Sequence, residues 1–404
     1  MVIPLSSLIV TVPLSSPSPS PASQPAHHLP TGGFHNPWPS FRPQAQGLRF
    51  LAIVGLIREM WKNKVPPNIS VLLPVVKPNW GEGQAEKTKA TWLGHACFLV
   101  ELPTPKGAAR GARILFDPVF SHRCSPVQWI GPARYTPPPC KIEDIPQVDA
   151  VVISHNHYDH MDTHTLQTLR QQKGGPPHIF APLANDAYFQ SLAVPGEDWT
   201  CMDWWEQREC TVLLPSQAEE GEGAGGVVKG VEERFRLTCT PCQHFTGRSL
   251  SDRFKTLWAS WALESIPSSQ DAAHAAPAPV KIWFAGDTGY RAVPDGMDET
   301  KMPVCPVFKD IGARFGGFDL ALIPIGAYLP RQMMSPVHCA PQDSALLFRD
   351  VQARRGVGMH WGTWMLTTEK VMDPPQRLKE ECEKVGIGSG RFTACESIGE
   401  TVLV

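Results

Sequence analysis

The 404-residue chain carries no excess of either charge: 37 Lys plus Arg face 39 Asp plus Glu, a net charge of -2. Without a basic field or stripe it has no general means of gathering nucleic acid. No apolar run approaches the ~20 residues that a membrane-spanning helix needs. The N-terminus lacks a basic leader segment, and three prolines break its first 17 residues, so neither a cleaved signal nor a standard mitochondrial presequence is expected. An intracellular protein, soluble or peripherally bound to a membrane, is the expectation. Eleven cysteines, an odd number without framework spacing, do not make a disulfide scaffold in a chain of this length. The lone CxxC, Cys239 to Cys242, has no second pair and reads as buried thiols rather than as a redox or metal site. Internal repeats are also missing.

Domain organisation follows from composition. Residues 1–46 form a head rich in Pro and Ser with few large apolar side chains over 13–46, too little to offset ordering entropy, and are expected to lack structure. Residues 47–404 mix short β-rich runs ("ARILFDP", "DAVVISH", "KIWFAGD", "DLALIPIG") with helical periodicity in "DTHTLQTLRQQ", "PQDSALLFRDVQAR" and "PPQRLKEECEKV", which predicts one layered α/β domain. Two low-complexity inserts, at 216–226 and 267–279, read as surface loops. Residues 48–61 are apolar on nearly every face over 50–57; a buried helix and a helix lying on a membrane both satisfy that pattern.

One stretch carries chemistry. "SHNHYDHMD" (154–162) follows the apolar run "AVVI", so His155, His157, Asp159 and His160 sit between a strand end and a helix start, where α/β sheets gather ligands. Mixed His/Asp donors without thiolate suit zinc or iron and leave coordination positions open, the catalytic pattern. Four side chains cannot complete two sites. His244, Asp287 and His360, each ending a later apolar run, supply the rest. A carboxylate such as Asp287 can bridge two ions ~3.5–4 Å apart. The assignment is His155, His157, His244 and Asp287 on one metal, and Asp159, His160, Asp287 and His360 on the other. A single His at a strand end is more often a core or surface residue, and His95, His122, His164 and His178 are placed in that class.

The motif and the order of later donors resemble the metallo-β-lactamase superfamily, and within it the N-acylphosphatidylethanolamine-hydrolysing phospholipase D family. "FHNPWPSF", "TWLGHACFLVEL", "HNHYDHMD", "DRFKTLWASW" and "IPIGAYLPR" carry that resemblance from about residue 35 onward. It implies an αβ/βα four-layer sandwich with two Zn²⁺ per chain at its rim. It further implies a homodimer that works on a phospholipid at a membrane surface and releases N-acylethanolamine and phosphatidic acid. Asp159, Asp287 and His338 then stand as candidate catalytic residues, with Tyr158 and His338 toward the substrate. A packing role for Tyr158 and a capping role for His338 fit the residues equally. Asp117 and Asp162 are expected to order loops or orient histidines. Two other readings remain: a relative acting on a soluble lactone or diester, and a metal-holding scaffold without turnover.

Overall fold

The computed structural model describes residues 8–11, 25–42, 64–217, 230–249, 251–267 and 279–404. Among these, strands assemble into two mixed sheets. The first runs in the order β15 (Thr401–Leu403), β2 (Lys89–Trp92), β3 (Phe98–Glu101), β4 (Arg113–Phe116), β5 (Ala150–Val152), β6 (His178–Pro182), β7 (Trp199–Met202). The second runs β1 (Leu8–Thr11), β8 (Gln207–Leu214), β9 (Val231–Thr240), β10 (Ser260–Ile266), β11 (Lys281–Phe284), β12 (Phe318–Pro324), β13 (Ala353–Met359), β14 (Phe392–Ala394). The described α-helices are α1 (Ile69–Leu72), α2 (Thr163–Leu169), α3 (Asp186–Ser191), α4 (Val307–Phe315), α5 (Arg331–Met334), α6 (Pro341–Asp350) and α7 (Asp373–Lys384).

The inner strands of the first sheet are buried on both faces, which is why they read as continuous apolar runs, whereas the edge strands β7 and β15 are half-buried. Period-two alternation sends Phe98, Val100, Ile114, Phe116 and Val152 toward the second sheet, where Leu237, Trp261 and Phe284 meet them. Leu99, Leu115, Val151 and Ile179 face the other way, onto Leu166 and Leu169 of α2 and Phe189 of α3. Phe116 stacks on Phe284 at 4.8 Å, and the Trp261 indole donates across the gap to the Ile153 carbonyl at 3.0 Å. On the far face of the second sheet, Phe308 of α4 meets Trp283 and Phe348 of α6 stacks on Phe392. The layers are helix, sheet, sheet, helix: the expected four-layer sandwich. Burying each such aromatic contributes about 1.5–3 kcal/mol.

Glu233 on β9 is buried in the seam with the first sheet, its carboxylate accepting from the Ala112 amide at 2.5 Å. Burial pushes its carboxyl up to about 8. The folded chain therefore holds a proton there that the unfolded chain loses near pH 4.5, and stability falls as pH rises from about 5 to about 8. Glu233→Gln removes that titration. Denaturant midpoints of the variant should gain on the wild type across that window and lie above it at pH 8.5.

Residues 25–42 correct the expectation of an unstructured head. His27 stacks on Trp204 at 4.1 Å and, with His28, binds the Asp203 carboxylate at 2.7 and 2.8 Å. The Phe34 amide donates to Phe254, the Asn36 amide to the His244 carbonyl, and the Ser40 hydroxyl to Gln243. Proline-rich composition hid a few aromatic and imidazole anchors that suffice to dock this strap. β1 also falls within the head, paired antiparallel with β8. The rest of the head, residues 48–61 and nearly all of both low-complexity inserts lie outside the described residues. All eleven cysteines are free; Cys239 and Cys242 are buried, and burial raises both thiols well above their usual range, in keeping with structural thiols.

Candidate metal centre

Strand ends of both sheets meet at one rim. The turn after β5 carries His155, His157, Asp159 and His160 from the first sheet; β9, β11 and β13 of the second deliver His244, Asp287 and His360. Close approach is built into the backbone. Gly286, at φ +59°, stands where a Cβ would come within 2.7 Å of Ser154 Cβ and 2.9 Å of the Ala259 carbonyl, so only glycine lets the Asp287 turn reach the motif. Three non-glycine residues of the site take left-handed backbone, His95 (φ 53°), Asp117 (φ 40°) and His360 (φ 63°), a strain that persists only where the surrounding structure dictates it.

The donor atoms form two sets. In one, His157 Nδ1 lies 2.8 Å from His155 Nε2 and 3.3 Å from His244 Nε2, with Asp287 Oδ2 3.9 and 3.8 Å from the latter two. In the other, Asp159 Oδ2 faces His160 Nε2 at 3.6 Å and His360 Nε2 at 3.5 Å. Asp287 Oδ2 stands between the sets, 3.1 Å from His160 Nε2 and 3.0 Å from His360 Nε2. All seven donors expected from the sequence converge at this rim. His95 corrects that reading: placed among ordinary histidines, it lies with Nε2 3.0 Å from Asp159 Oδ2 and joins the second set. His338 lies against Asp287, Nδ1 to Oδ2 3.9 Å. His122 and His164 line a neighbouring cleft, and His178 is buried against the Thr200 hydroxyl.

Hydrogen bonds fix the tautomers. Asp117 accepts from the Ser154 amide (2.7 Å), from its hydroxyl (2.5 Å) and from His160 Nδ1 (2.6 Å). With its hydrogen given to Asp117, the Ser154 hydroxyl accepts from His155 Nδ1 at 2.9 Å. His244 Nδ1 donates to the Val337 carbonyl at 2.8 Å. Three imidazoles thus turn Nε2 inward, the arrangement of ligands held by outer partners. Asp287 Oδ1 is buried without a hydrogen-bond partner, and His160 Nε2 and His360 Nε2 meet only the crowded Asp159 and Asp287 oxygens without good hydrogen-bond geometry, which is costly unless a cation completes them. The residues fit a pair of divalent ions. Asp162, as expected, orders a loop: it accepts from the Ser121 amide and hydroxyl at 3.0 and 2.9 Å.

Electrostatics divide along the same line. Burial drives His155 and His244 well below the usual imidazole range and His157 to about 4, so these stay neutral at pH 7. Burial opposes charge on His160 and His360 too, but Asp287 and its fellow carboxylate Asp159 hold His160 well above its usual value and His360 at about 9. Without a cation these two imidazoles are protonated at neutral pH, and a cation must displace those protons. Titrating zinc into chelator-stripped protein at pH 7 in buffers of different ionisation enthalpy should show proton release, with apparent affinity rising up to about pH 9.

Beside the motif opens a cleft of about 770 Å³ lined by Tyr158, Arg123, Arg248 and Gln128 among others. Arg248 stacks 3.9 Å over the Tyr158 ring and donates to the Asn156 and Met161 carbonyls at 2.9 and 2.8 Å. The sequence offered no signal for Arg248. Trp204, Trp361 and Trp364 are buried, as packing residues should be. Among the described residues no helix is long and apolar enough to cross a membrane.

A family model described as a beta-lactamase superfamily domain matches residues 112–361. An N-acyl-phosphatidylethanolamine-hydrolyzing phospholipase D of Caenorhabditis elegans is 34% identical over 336 residues, covering 80% of this chain and 79% of that protein. A Saccharomyces cerevisiae protein of the same name, designated mitochondrial, is 28% identical over 412 residues, covering 92% and 75%. An uncharacterized protein of Mycobacterium tuberculosis is 35% identical over 315 residues, covering 77% and 68%. With the two-set donor cluster at the rim of an αβ/βα sandwich, these likenesses place the chain in the metallo-β-lactamase superfamily, in the family of N-acylphosphatidylethanolamine-hydrolysing phospholipases D, as a metal-dependent hydrolase.

Proposed function

We propose that the chain is a zinc-dependent phospholipase D that hydrolyses N-acylphosphatidylethanolamine to N-acylethanolamine and phosphatidic acid. The observation that carries this reading is Asp287 Oδ2 set between two donor clusters, supported by the names of the worm and yeast relatives. Divalent ions held by these residues would supply a hydroxide at neutral pH and offset the charge of a phosphodiester. The oxygen of water joins phosphorus, the bond from phosphorus to the ethanolamine oxygen breaks, and that oxygen leaves with a proton.

The chain's own residues orient this reaction. Arg248, pinned to two carbonyls of the motif turn and stacked on Tyr158, sets a positive charge at the cleft wall, where it suits a phosphate oxygen. His338 is pushed down to about 4 by burial, so at pH 7 it meets substrate as a neutral imidazole that hydrogen-bonds and positions. Ser154 and Asp117 keep His155 and His160 aimed inward. The test is incubation with N-acylphosphatidylethanolamine vesicles, with mass spectrometry of both products, beside a soluble diester and a lactone. N-Acylethanolamine and phosphatidic acid in equal amounts support the proposal. Turnover of only the soluble compounds would replace it with the soluble-substrate reading.

A further inference from the structure

Between Asp117 and Glu143 the chain holds no acidic residue but contains His122, Arg123, Arg134 and Lys141. Within this stretch residues 123–133 form a hairpin-like loop. Arg123 bridges to Ala133, its guanidinium donates to the Gly131 carbonyl, and its backbone exchanges hydrogen bonds of 2.9 and 3.0 Å with the Gln128 side chain. Gly131, at φ +100°, lets the loop close where a Cβ would meet Ser125 Cβ at 2.7 Å. The tip is apolar and open to solvent: Trp129 is 77% exposed and Ile130 57%.

A mobile tip of this kind would fold back to hide its apolar side chains; this one is braced. Arg134 donates to the Ser121 and Val119 carbonyls and packs its guanidinium 4.4 Å from the Trp364 ring, while the Trp364 indole donates to the His122 carbonyl at 3.2 Å. Ser121 in turn is bound to Asp162, the last residue of the metal motif. Arg123, Ser125, Pro126 and Gln128, directly before the tip, line the same cleft as Tyr158 and Arg248. The apolar tip is thus held at a fixed offset from the mouth of the candidate site.

We propose that Trp129 and Ile130 insert into the surface of a bilayer carrying anionic headgroups and set the cleft against it. Tryptophan favours the headgroup level, where its apolar ring and N–H are both satisfied. Arg123 at the base of the tip, in a stretch without a carboxylate and with Arg134 buried as its brace, complements an anionic leaflet. Two side chains at a loop tip are far short of the ~1,200 Å² that a stable protein interface buries, whereas partial insertion into lipid needs only their own apolar area. This inference rests on the reading of the site as a phospholipase, but its test does not.

The test is sedimentation of the full chain with vesicles that contain no N-acyl lipid: phosphatidylcholine alone, and an equimolar mixture with phosphatidylglycerol. Wild type should bind the mixed vesicles more tightly than the neutral ones. The Trp129→Ala/Ile130→Ala double variant should bind the mixture about tenfold or more weakly, with metal content and thermal midpoint matching wild type because both side chains are exposed. Brominated lipid should quench wild-type fluorescence more than that of Trp129→Phe. Equal binding by wild type and double variant, or absence of vesicle binding by wild type, overturns the proposal. Capture of a protein partner by this loop in place of vesicles overturns it too. Loop-dependent vesicle binding by a chain that leaves N-acylphosphatidylethanolamine intact supports the loop and overturns only the substrate reading.

Discussion

Asp287→Ala lowers turnover by about 10³-fold or more while leaving the fold in place. The size follows from position: one carboxylate oxygen faces His155 and His244 on one side and His160 and His360 on the other, so its loss opens both donor sets at once. Several kcal/mol of transition-state charge stabilisation depend on each ion, and each 1.36 kcal/mol is a factor of ten in rate. The turn survives because main-chain contacts hold it, although the metal-free variant also loses the ion pairs of Asp287 Oδ2 with His160 and His360. The second Asp287 oxygen, Oδ1, is buried without a partner, and the turn is held instead by backbone, with the Gly289 amide donating to Gln243 and the Cys242 thiol lying 3.5 Å from the Asp287 carbonyl. Steady-state kinetics and thermal unfolding of metal-free proteins separate the two effects. A variant with near-normal rates would remove Asp287 from the site; one that fails to fold would make it a structural residue.

Asp117→Asn should weaken metal affinity by about 10- to 100-fold and lower stability by about 1–3 kcal/mol. Asp117 is hydrogen-bonded to His160 and lies near His155, and it receives three hydrogens, from Ser154 twice and from His160. An amide retains one acceptor oxygen and presents its NH₂ to a donor at the other position. With the NH₂ at the Oδ2 position, His160 Nδ1 and the Ser154 hydroxyl both lose their acceptor in a fully buried place, so neither the His160 ring nor, through Ser154, the His155 tautomer is fixed; with it at the Oδ1 position, the Ser154 backbone amide is left unpaired. Competition with a chromogenic chelator reads the affinity and denaturant unfolding reads the stability. Affinity unchanged from wild type would show that Asp117 only braces the loop.

Much of this site was legible because its donors sit in local patterns. His155, His157, Asp159 and His160 crowd one turn between β5 and α2, and His244, Asp287 and His360 each follow an apolar strand closely. His95 was not legible. It sits in the tight "LGHAC" turn between β2 and β3, and its approach to Asp159 depends on a long-range contact in which the His360 amide donates to the His95 carbonyl at 3.1 Å. Arg248 is likewise placed by tertiary packing, in a loop of polar residues that looks like any surface turn. Among the elements, the long apolar runs emerged as strands, whereas β8 alternates buried and half-buried residues and β14 and β15 span three residues each, too short for periodicity to register. Helix α4 carries Gly312 in its middle, which dilutes a helical signal. The strap at 25–42 was hidden by composition, since proline and serine count against order while a few buried rings decide it.

The most direct measurement is elemental analysis of the purified chain after metal-replete expression. Two zinc ions per chain are expected, one for each donor set flanking Asp287. One ion or fewer would contradict the shared-carboxylate centre on which the proposed hydrolysis depends.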